Sequence, residues 1–241
     1  MSEIIGNIDP DERLMSLIVE KLKSGDAKLP TEAQMSEELG ISRSLLREKM
    51  RYLEANGLID TIQGSGRFAK LPSLSDQINS VWSVVLKVNP AKLLELLDVR
   101  ILLEINTLQN AVDRITDEQL QHPAETVARM KFLAKRGRPF VEADREFHAT
   151  LFSCTGNEFL EDLLTSFWDL YEMSVTDKHH QDLVLIAESH EGVMAAVARH
   201  DVDTAKRLLM EQFMDARYRI NIDLAKQKMD ASLSEQLQAN N

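Results

Sequence analysis

Residues 29–70 read LPTEAQMSEELGISRSLLREKMRYLEANGLIDTIQGSGRFAK. Apolar residues recur at helical spacing through the first part of this segment. They then fall into two short runs separated by a glycine-containing tetrapeptide. Such a change in pattern predicts two helices followed by a β-hairpin.

Start and stop signals delimit these helices. Apolar residues at helical spacing predict a preceding helix over about residues 11–23. Thr31 and, three residues later, Gln34 have the capping-box spacing that begins a second helix of about two turns. Ser42 is a suitable N-cap for a third helix, which Asn56-Gly57 ends. The order of helix, short helix, turn and helix is that of a helix-turn-helix.

The hairpin completes the first domain. Residues 58–62 and 67–70 are predicted as strands, and the glycines between them permit the positive φ of a tight turn. The hairpin has the size and place of a wing. Helical periodicity resumes at Leu74, so we place the domain boundary after residue 72.

The rest of the chain is predicted to be helical. Residues 73–229 form a succession of amphipathic patterns interrupted at short breaks, without a strand signal. Residues 230–241 are polar and are predicted to be a disordered tail. The predicted fold is therefore mostly α, with an N-terminal winged helix-turn-helix followed by an all-α helical bundle.

Composition restricts the class of protein. The single cysteine, Cys154, permits no intramolecular disulfide, and no apolar run approaches the roughly 20 residues that cross a bilayer. We therefore expect a cytoplasmic protein without membrane contact. The net charge of −11 opposes nucleic-acid binding overall, but Gly40 to Lys70 contains six basic and three acidic residues. A local basic patch within an acidic chain suits a small DNA-binding module.

The motifs of the first domain resemble the GntR family of bacterial transcription regulators, and those of the second resemble the FCD effector domain of the FadR subfamily. The first resemblance rests on Leu29-Pro30-Thr31-Glu32, Leu39 to Arg43, Leu46-Arg47-Glu48, Gly57-Leu58-Ile59 and Gly64-Ser65-Gly66. The second rests on Asp98-Val99-Arg100 with Glu104, Asp144 to His148, Gly156-Asn157, Glu188-Ser189-His190 and Asp201-Val202-Asp203.

The resemblance implies a homodimeric regulator, expected to be a repressor. It would bind a pseudo-palindromic double-stranded DNA operator and respond to a small carboxylate effector. Residues expected to contact DNA are Ser42, Arg43, Ser44, Arg47, Gly64, Gly66 and Arg67. Arg43 and Arg47 share one helix face, and arginine is well shaped for guanine O6 and N7. The alternative is an ordinary solvated face. Many relatives carry a basic residue where this chain has Ala33, which predicts an altered DNA preference.

A second set of residues suggests a metal site. Asp144 and His148 lie at i and i+4 on one predicted helix, and His190 lies on a later one. The resemblance implies a site of one carboxylate and three imidazoles, suited to Zn, Ni or Mn. Gln212 stands where metal-binding relatives have the last His. The alternative is a hydrogen-bonded polar cluster without metal.

Two further residues are candidates for effector binding beside Gln212. Arg100 is expected to pair with an organic acid, or else with Glu104 at i+4. Asn157 is expected to contact the effector, or else to cap the following helix. A different class of function, a metal-dependent hydrolase or lyase, has no use for the N-terminal module. The sequence has no GxSxG, P-loop or GxGxxG element, so we predict that the protein is not an enzyme.

Overall fold

The computed structural model describes residues 9–174 and 182–239. The chain divides between Gln77 and Ile78 into two compact units. Within the described residues there are ten helices and one two-stranded antiparallel sheet. The winged helix-turn-helix and the helical second unit predicted from sequence are confirmed.

The first unit has three helices and the hairpin. Their bounds are α1 Pro10–Ser24, α2 Glu32–Leu39, α3 Arg43–Ala55, β1 Ile59–Ile62 and β2 Gly66–Ala69. The predicted caps are present, because Thr31 and Gln34 form a reciprocal capping box and the Ser42 side chain accepts from the Leu45 amide. Together these caps satisfy amide groups that begin α2 and α3, which fixes where both helices start.

One apolar core joins these elements. Buried residues come from every element: Leu14, Ile18, Leu29, Met35, Leu39, Leu46, Met50, Leu53, Ile59 and Ala69. The wing is also held from its other side, since the Leu29 amide donates to the Arg67 carbonyl at 2.9 Å and the Ala69 amide to the Ala27 carbonyl at 2.7 Å. Gly64 at the hairpin tip has φ +78°, a conformation that glycine adopts with little strain and other residues do not.

The second unit contains the remaining helices. They are α4 Leu74–Val88, α5 Lys92–Arg114, α6 Asp117–Ala134, α7 Val141–Ser153, α8 Glu158–Ser174, α9 Leu183–Ala198 and α10 Val202–Ala239. The first turn of α4 belongs to the first unit, because Gln77 Nε2 donates to the Asn56 carbonyl at 3.1 Å. The compact units consequently divide after residue 77 rather than after residue 72.

The C-terminal segment differs from the predicted tail. Residues 230–239, expected to be disordered, continue α10 as helix. Polarity alone suggested fraying, but α10 contains no glycine or proline and this stretch is rich in Ala, Leu, Glu and Gln. These residues have high helix propensity, and no stop signal precedes Ala239.

The helices of the second unit surround a continuous apolar core. α5 packs against α7, α8 and α10, while α6 packs against α7 and α9, and α9 against α10. Fully buried side chains include Leu108, Met130, Phe147, Phe152, Leu170 and Leu209. Among the described helices, none is both long and apolar enough to cross a membrane. α5, α7 and α9 also place charged side chains in the interior, where the candidate ligand site lies.

Candidate functional site

The N-terminal end of α3 presents the predicted DNA-contacting residues to solvent. Ser42, Arg43, Ser44 and Arg47 are all exposed. Ser42 uses its oxygen as the helix cap, at 3.2 Å from the Leu45 amide. The N-terminus of α3, with its partial positive charge, therefore lies on the same exposed surface as Arg43 and Arg47. This surface can accept a phosphate backbone and reach base edges.

The wing is connected to α3 through an acidic residue. Glu32 accepts from Arg47 Nε at 2.7 Å and from Arg67 Nη1 at 2.6 Å. The hydrogen bonds from Arg67 and then Arg47 lower the pKa of Glu32, against the smaller opposing effect of burial. The exposed loop of Gly64 to Gly66 stands at the hairpin tip, whereas the Arg67 side chain is largely covered, at 24% exposure.

A cluster of charged side chains lies between the helices of the second unit. Arg100 Nε donates to Glu104 Oε1 at 2.5 Å, so the ion pair suggested by the i, i+4 spacing is confirmed. His148 Nδ1 donates to the other Glu104 oxygen at 2.8 Å. Glu104 is completely buried, and burial alone would raise its pKa. The charges of Arg100 and His148 outweigh burial and hold that pKa below its usual range.

The second half of the cluster joins Asp144 to His190. His190 Nε2 lies 2.8 Å from Asp144 Oδ1, and His148 Nε2 lies 3.6 Å from the same oxygen. Burial opposes the charged form of Asp144, but the adjacent His190 lowers its pKa to about 2. Burial likewise opposes a charged His190, yet Asp144 raises the pKa of that imidazole. Asp144 is therefore a carboxylate at neutral pH.

The orientation of both imidazoles suits a metal. His148 Nδ1 faces a Glu104 oxygen and His190 Nδ1 faces the Ile186 carbonyl at 2.7 Å, so each Nδ1 carries a proton. Ligating histidines are usually held in this way, with the opposite nitrogen free for the metal. Both Nε2 atoms converge on Asp144, and the three donor atoms lie within 4.8 Å of one another. These residues fit a divalent cation.

Two adjoining clefts open on this cluster. The one beside the histidines has about 430 Å³ of empty space and the other about 770 Å³, both including the space at their open mouths. Arg100, Asp144, Trp168 and Arg219 line both of them. The Arg100 guanidinium lies 4.0 Å from the centre of the Trp168 ring, within the range of cation–π attraction.

Several residues that line this cavity carry buried polar atoms without hydrogen-bond partners. These atoms are Trp168 Nε1, Arg219 Nε and both amide atoms of Gln212, each buried and unpaired within the described part of the chain. Burying unpaired polar atoms is unfavourable, so such a group of them commonly marks a ligand position. Trp168 and Arg219 were not predicted from the sequence. The spacing of Gln212, Ala216 and Arg219 on one face of α10 was an available signal.

Asn157 has a different place. Its Oδ1 accepts from the Leu160 amide at 3.2 Å at the start of α8, and it lines neither of the two clefts. Asn157 therefore caps α8, the alternative drawn from the sequence, and its contact with an effector stays a prediction. The same polar side chain that can bind a ligand also caps a helix, and the preceding Gly156 at φ +66° favours the cap.

A winged helix-turn-helix followed by an all-helical unit is the architecture of a class of DNA-binding transcription regulators. Comparison with known families agrees. Residues 11–68 match the bacterial regulatory proteins of the gntR family, and residues 95–215 match the FCD domain. The chain belongs to the GntR-family transcription regulators that carry an FCD domain.

Individual relatives are similar over most of the chain. The Uxu operon regulator of Haemophilus influenzae is 26% identical over 80% of this chain and 73% of its own length. The putative L-lactate dehydrogenase operon regulatory protein of Escherichia coli K12 is 27% identical over 83% of this chain and 80% of its own. A Streptococcus agalactiae GntR structure shares the fold, with a TM-score of 0.62 at 24% identity, covering 87% of this chain and 97% of that one.

Proposed function

We propose that this regulator is a repressor whose operator affinity is controlled by a small carboxylate bound between α5, α7, α8, α9 and α10. The observation that carries the proposal is the group of unpaired buried polar atoms, from Trp168, Gln212 and Arg219, around a cavity that also contains Arg100. A ligand that pairs these atoms would bind the folded unit strongly, because the unliganded cavity leaves them unsatisfied.

The polar groups suggest the chemistry of the ligand. Arg100 and Arg219 supply positive charge, and Trp168 Nε1 supplies an N–H donor, which together suit a carboxylate. Gln212 Oε1 is an acceptor and needs a donor such as a hydroxyl group. A small hydroxycarboxylate satisfies both requirements. The E. coli relative is described as a regulator of an L-lactate dehydrogenase operon, and lactate is an acid of this kind.

A metal ion would add to this site. Asp144, His148 and His190 would hold it, and Zn, Ni or Mn would supply positive charge and open coordination positions for the ligand's carboxylate. Gln212 offers only a neutral amide oxygen as a fourth group. Glu104 and the Ile186 carbonyl keep the two imidazoles oriented whether or not the ion is bound.

A melting-temperature screen tests the ligand proposal. Saturating L-lactate, at about 100 times its dissociation constant, is expected to raise the melting temperature of the second unit by about 5–10 °C, because only the folded state binds. Propanoate, which lacks the hydroxyl, and lactamide, which lacks the charge, are matched probes expected to give smaller shifts. Equal small shifts across a panel of hydroxycarboxylates, propanoate and lactamide would contradict the proposal.

Arg43 and Arg47 are proposed to read bases, supported by their exposure on one face of α3. Replacing either by Ala should weaken binding to a selected operator duplex by about 1–3 kcal/mol, while binding to random duplex falls less. Arg51→Ala is the matched control, since it removes one exposed positive charge from the same helix. If all three variants weaken cognate and random duplexes equally, the arginines act only as charges.

We further propose a homodimer formed through α4. Val81, Val84, Val85 and Val88 form an apolar stripe at helical spacing and are 45–82% exposed. A second copy can cover this stripe by two-fold pairing, and two half-sites then read a pseudo-palindrome. Sedimentation should give twice the chain mass of 27.4 kDa for the wild type and for the control Phe159→Glu, and a monomer for Val84→Glu/Val88→Glu. A monomeric wild type with undiminished operator affinity would contradict the dimer.

The alternative considered from sequence, a metal-dependent hydrolase or lyase, has no specific observation in its favour among the described residues.

A further inference from the structure

We infer that Glu32 is a positioning residue for DNA recognition, which orients Arg47 on α3 and Arg67 on the wing at the same time. Its two carboxylate oxygens are divided between the two arginines, Oε2 with Arg47 Nε at 2.7 Å and Oε1 with Arg67 Nη1 at 2.6 Å. Glu32 is the first residue of α2, so one side chain connects three separate elements of the first unit.

The contact between Glu32 and Arg47 leaves the two terminal amino groups of the Arg47 guanidinium available for a base. Nε is occupied by Glu32, and the described structure shows no other hydrogen bond from the Arg47 side chain. The two terminal amino groups are those that approach guanine O6 and N7 end-on. Arginine loses considerable side-chain freedom when it binds a base, and a carboxylate that already holds the guanidinium removes part of that loss before DNA arrives.

The contact with Arg67 fixes the wing. The backbone of Arg67 is held by the Leu29 amide at 2.9 Å, and its side chain is held by Glu32. Glu32 is the first residue of α2 and Leu29 lies three residues before it, so the hairpin is attached to α2 by a side chain and to the segment that precedes α2 by the main chain. The distance between the wing and the reading end of α3 is then set before DNA binds, which is the condition for both to engage one site together.

Electrostatics alone gives the opposite expectation. A carboxylate near DNA repels phosphate, so removing the Glu32 charge without any positioning effect should strengthen binding to every duplex. If Glu32 acts by positioning, its removal should weaken binding to the preferred sequence and leave binding to random sequence unchanged or stronger. The sign of the change on the preferred sequence therefore separates the two roles.

The inference rests on base reading by Arg43 and Arg47, and the experiment separates the two claims. Wild-type protein is used to select a duplex from a randomised library, and dissociation constants are then measured for that duplex and for a random one. Glu32→Gln is expected to weaken binding to the selected duplex about tenfold or more, with random-duplex binding unchanged or tighter. Glu38→Gln, which removes an exposed charge from the same helix, should not weaken binding to the selected duplex.

Coupling between the residues gives a second readout. If Glu32 acts through Arg47, adding Glu32→Gln to Arg47→Ala should cause a smaller loss than it causes alone. Arg67→Met keeps the Arg47 contact and tests the wing separately, with an expected loss on the selected duplex smaller than that of Glu32→Gln. Circular dichroism confirms folding; if Glu32→Gln does not fold, Arg67→Met and the shorter Glu32→Asp, which cannot span both arginines, carry the same test.

Three results would overturn the inference. In the first, Glu32→Gln binds the selected duplex as tightly as the wild type, whereas Arg47→Ala binds it more weakly. Arg47 would then read bases without being positioned by Glu32. Full additivity of Glu32→Gln and Arg47→Ala would show that Glu32 does not act through that arginine. A wild-type protein that enriches no sequence would remove base reading itself, and the inference with it.

Discussion

Arg100→Met is expected to destabilise the second unit by about 3–5 kcal/mol. Arg100 and Glu104 are both buried, and the Arg100 guanidinium forms an ion pair with the Glu104 carboxylate. Removing one member of a buried ion pair leaves the other charge uncompensated in a region of low dielectric constant.

Urea unfolding followed by tryptophan fluorescence measures this change directly. Both tryptophans, Trp82 and Trp168, lie in the second unit, so their signal reports that unit alone. Arg129→Met, which removes an exposed arginine paired with Glu146, is the matched control and should change stability by less than about 1 kcal/mol. The double variant Arg100→Met/Glu104→Gln should recover part of the loss. A change below about 1 kcal/mol for Arg100→Met would show that the pair is dispensable.

Gln212→His is expected to increase metal affinity by an order of magnitude or more. The amide atoms of Gln212 are buried, unpaired and on the cavity that contains Asp144, His148 and His190. An imidazole there would add a nitrogen ligand, which Zn and Ni bind far better than an amide oxygen. Competition against a chelating dye, together with metal content after dialysis, gives the affinities for zinc and nickel.

A surface histidine provides the comparison for that variant. Gln109→His adds an imidazole to an exposed position of α5 and should leave the high-affinity metal content unchanged. If both wild type and Gln212→His are free of metal after dialysis and have equal affinities, the three-residue cluster is a polar network that needs no ion. Gln212 would then serve the effector as a hydrogen-bond partner.

Much of the first unit could be predicted from local sequence because its signals are local. The capping box of Thr31 and Gln34 and the cap at Ser42 act within three residues of themselves, and the structure has both. The contacts of Glu32 with Arg47 and Arg67 span 15 and 35 residues. No periodicity or capping pattern encodes such a pair, since it depends on how α2, α3 and the wing pack together.

In the ligand cavity, too, residues close in sequence could be predicted and contacts between distant residues could not. Asp144 and His148 were identifiable at i and i+4 on one helix, and Arg100 and Glu104 by the same spacing. What joins the two pairs is Glu104, whose second oxygen reaches His148 across 44 residues. Trp168 and Arg219 enter the cavity only through the packing of α8 and α10 around α5. A tryptophan at helical spacing has the same sequence pattern whether it fills the core or faces a ligand.

In the proposed function, occupation of the cavity in the second unit controls DNA binding by the first. The most direct measurement is fluorescence anisotropy of a labelled selected duplex, with wild-type protein, as the acid that gave the largest melting shift is added. We expect the acid to release the duplex, with a midpoint at or above the dissociation constant of the acid for the free protein, because bound DNA opposes acid binding. The midpoint should be about tenfold higher for Trp168→Phe, which removes one hydrogen-bond donor from the cavity but keeps an aromatic ring beside Arg100. A duplex that stays bound at saturating acid, or the same midpoint in both proteins, would contradict it.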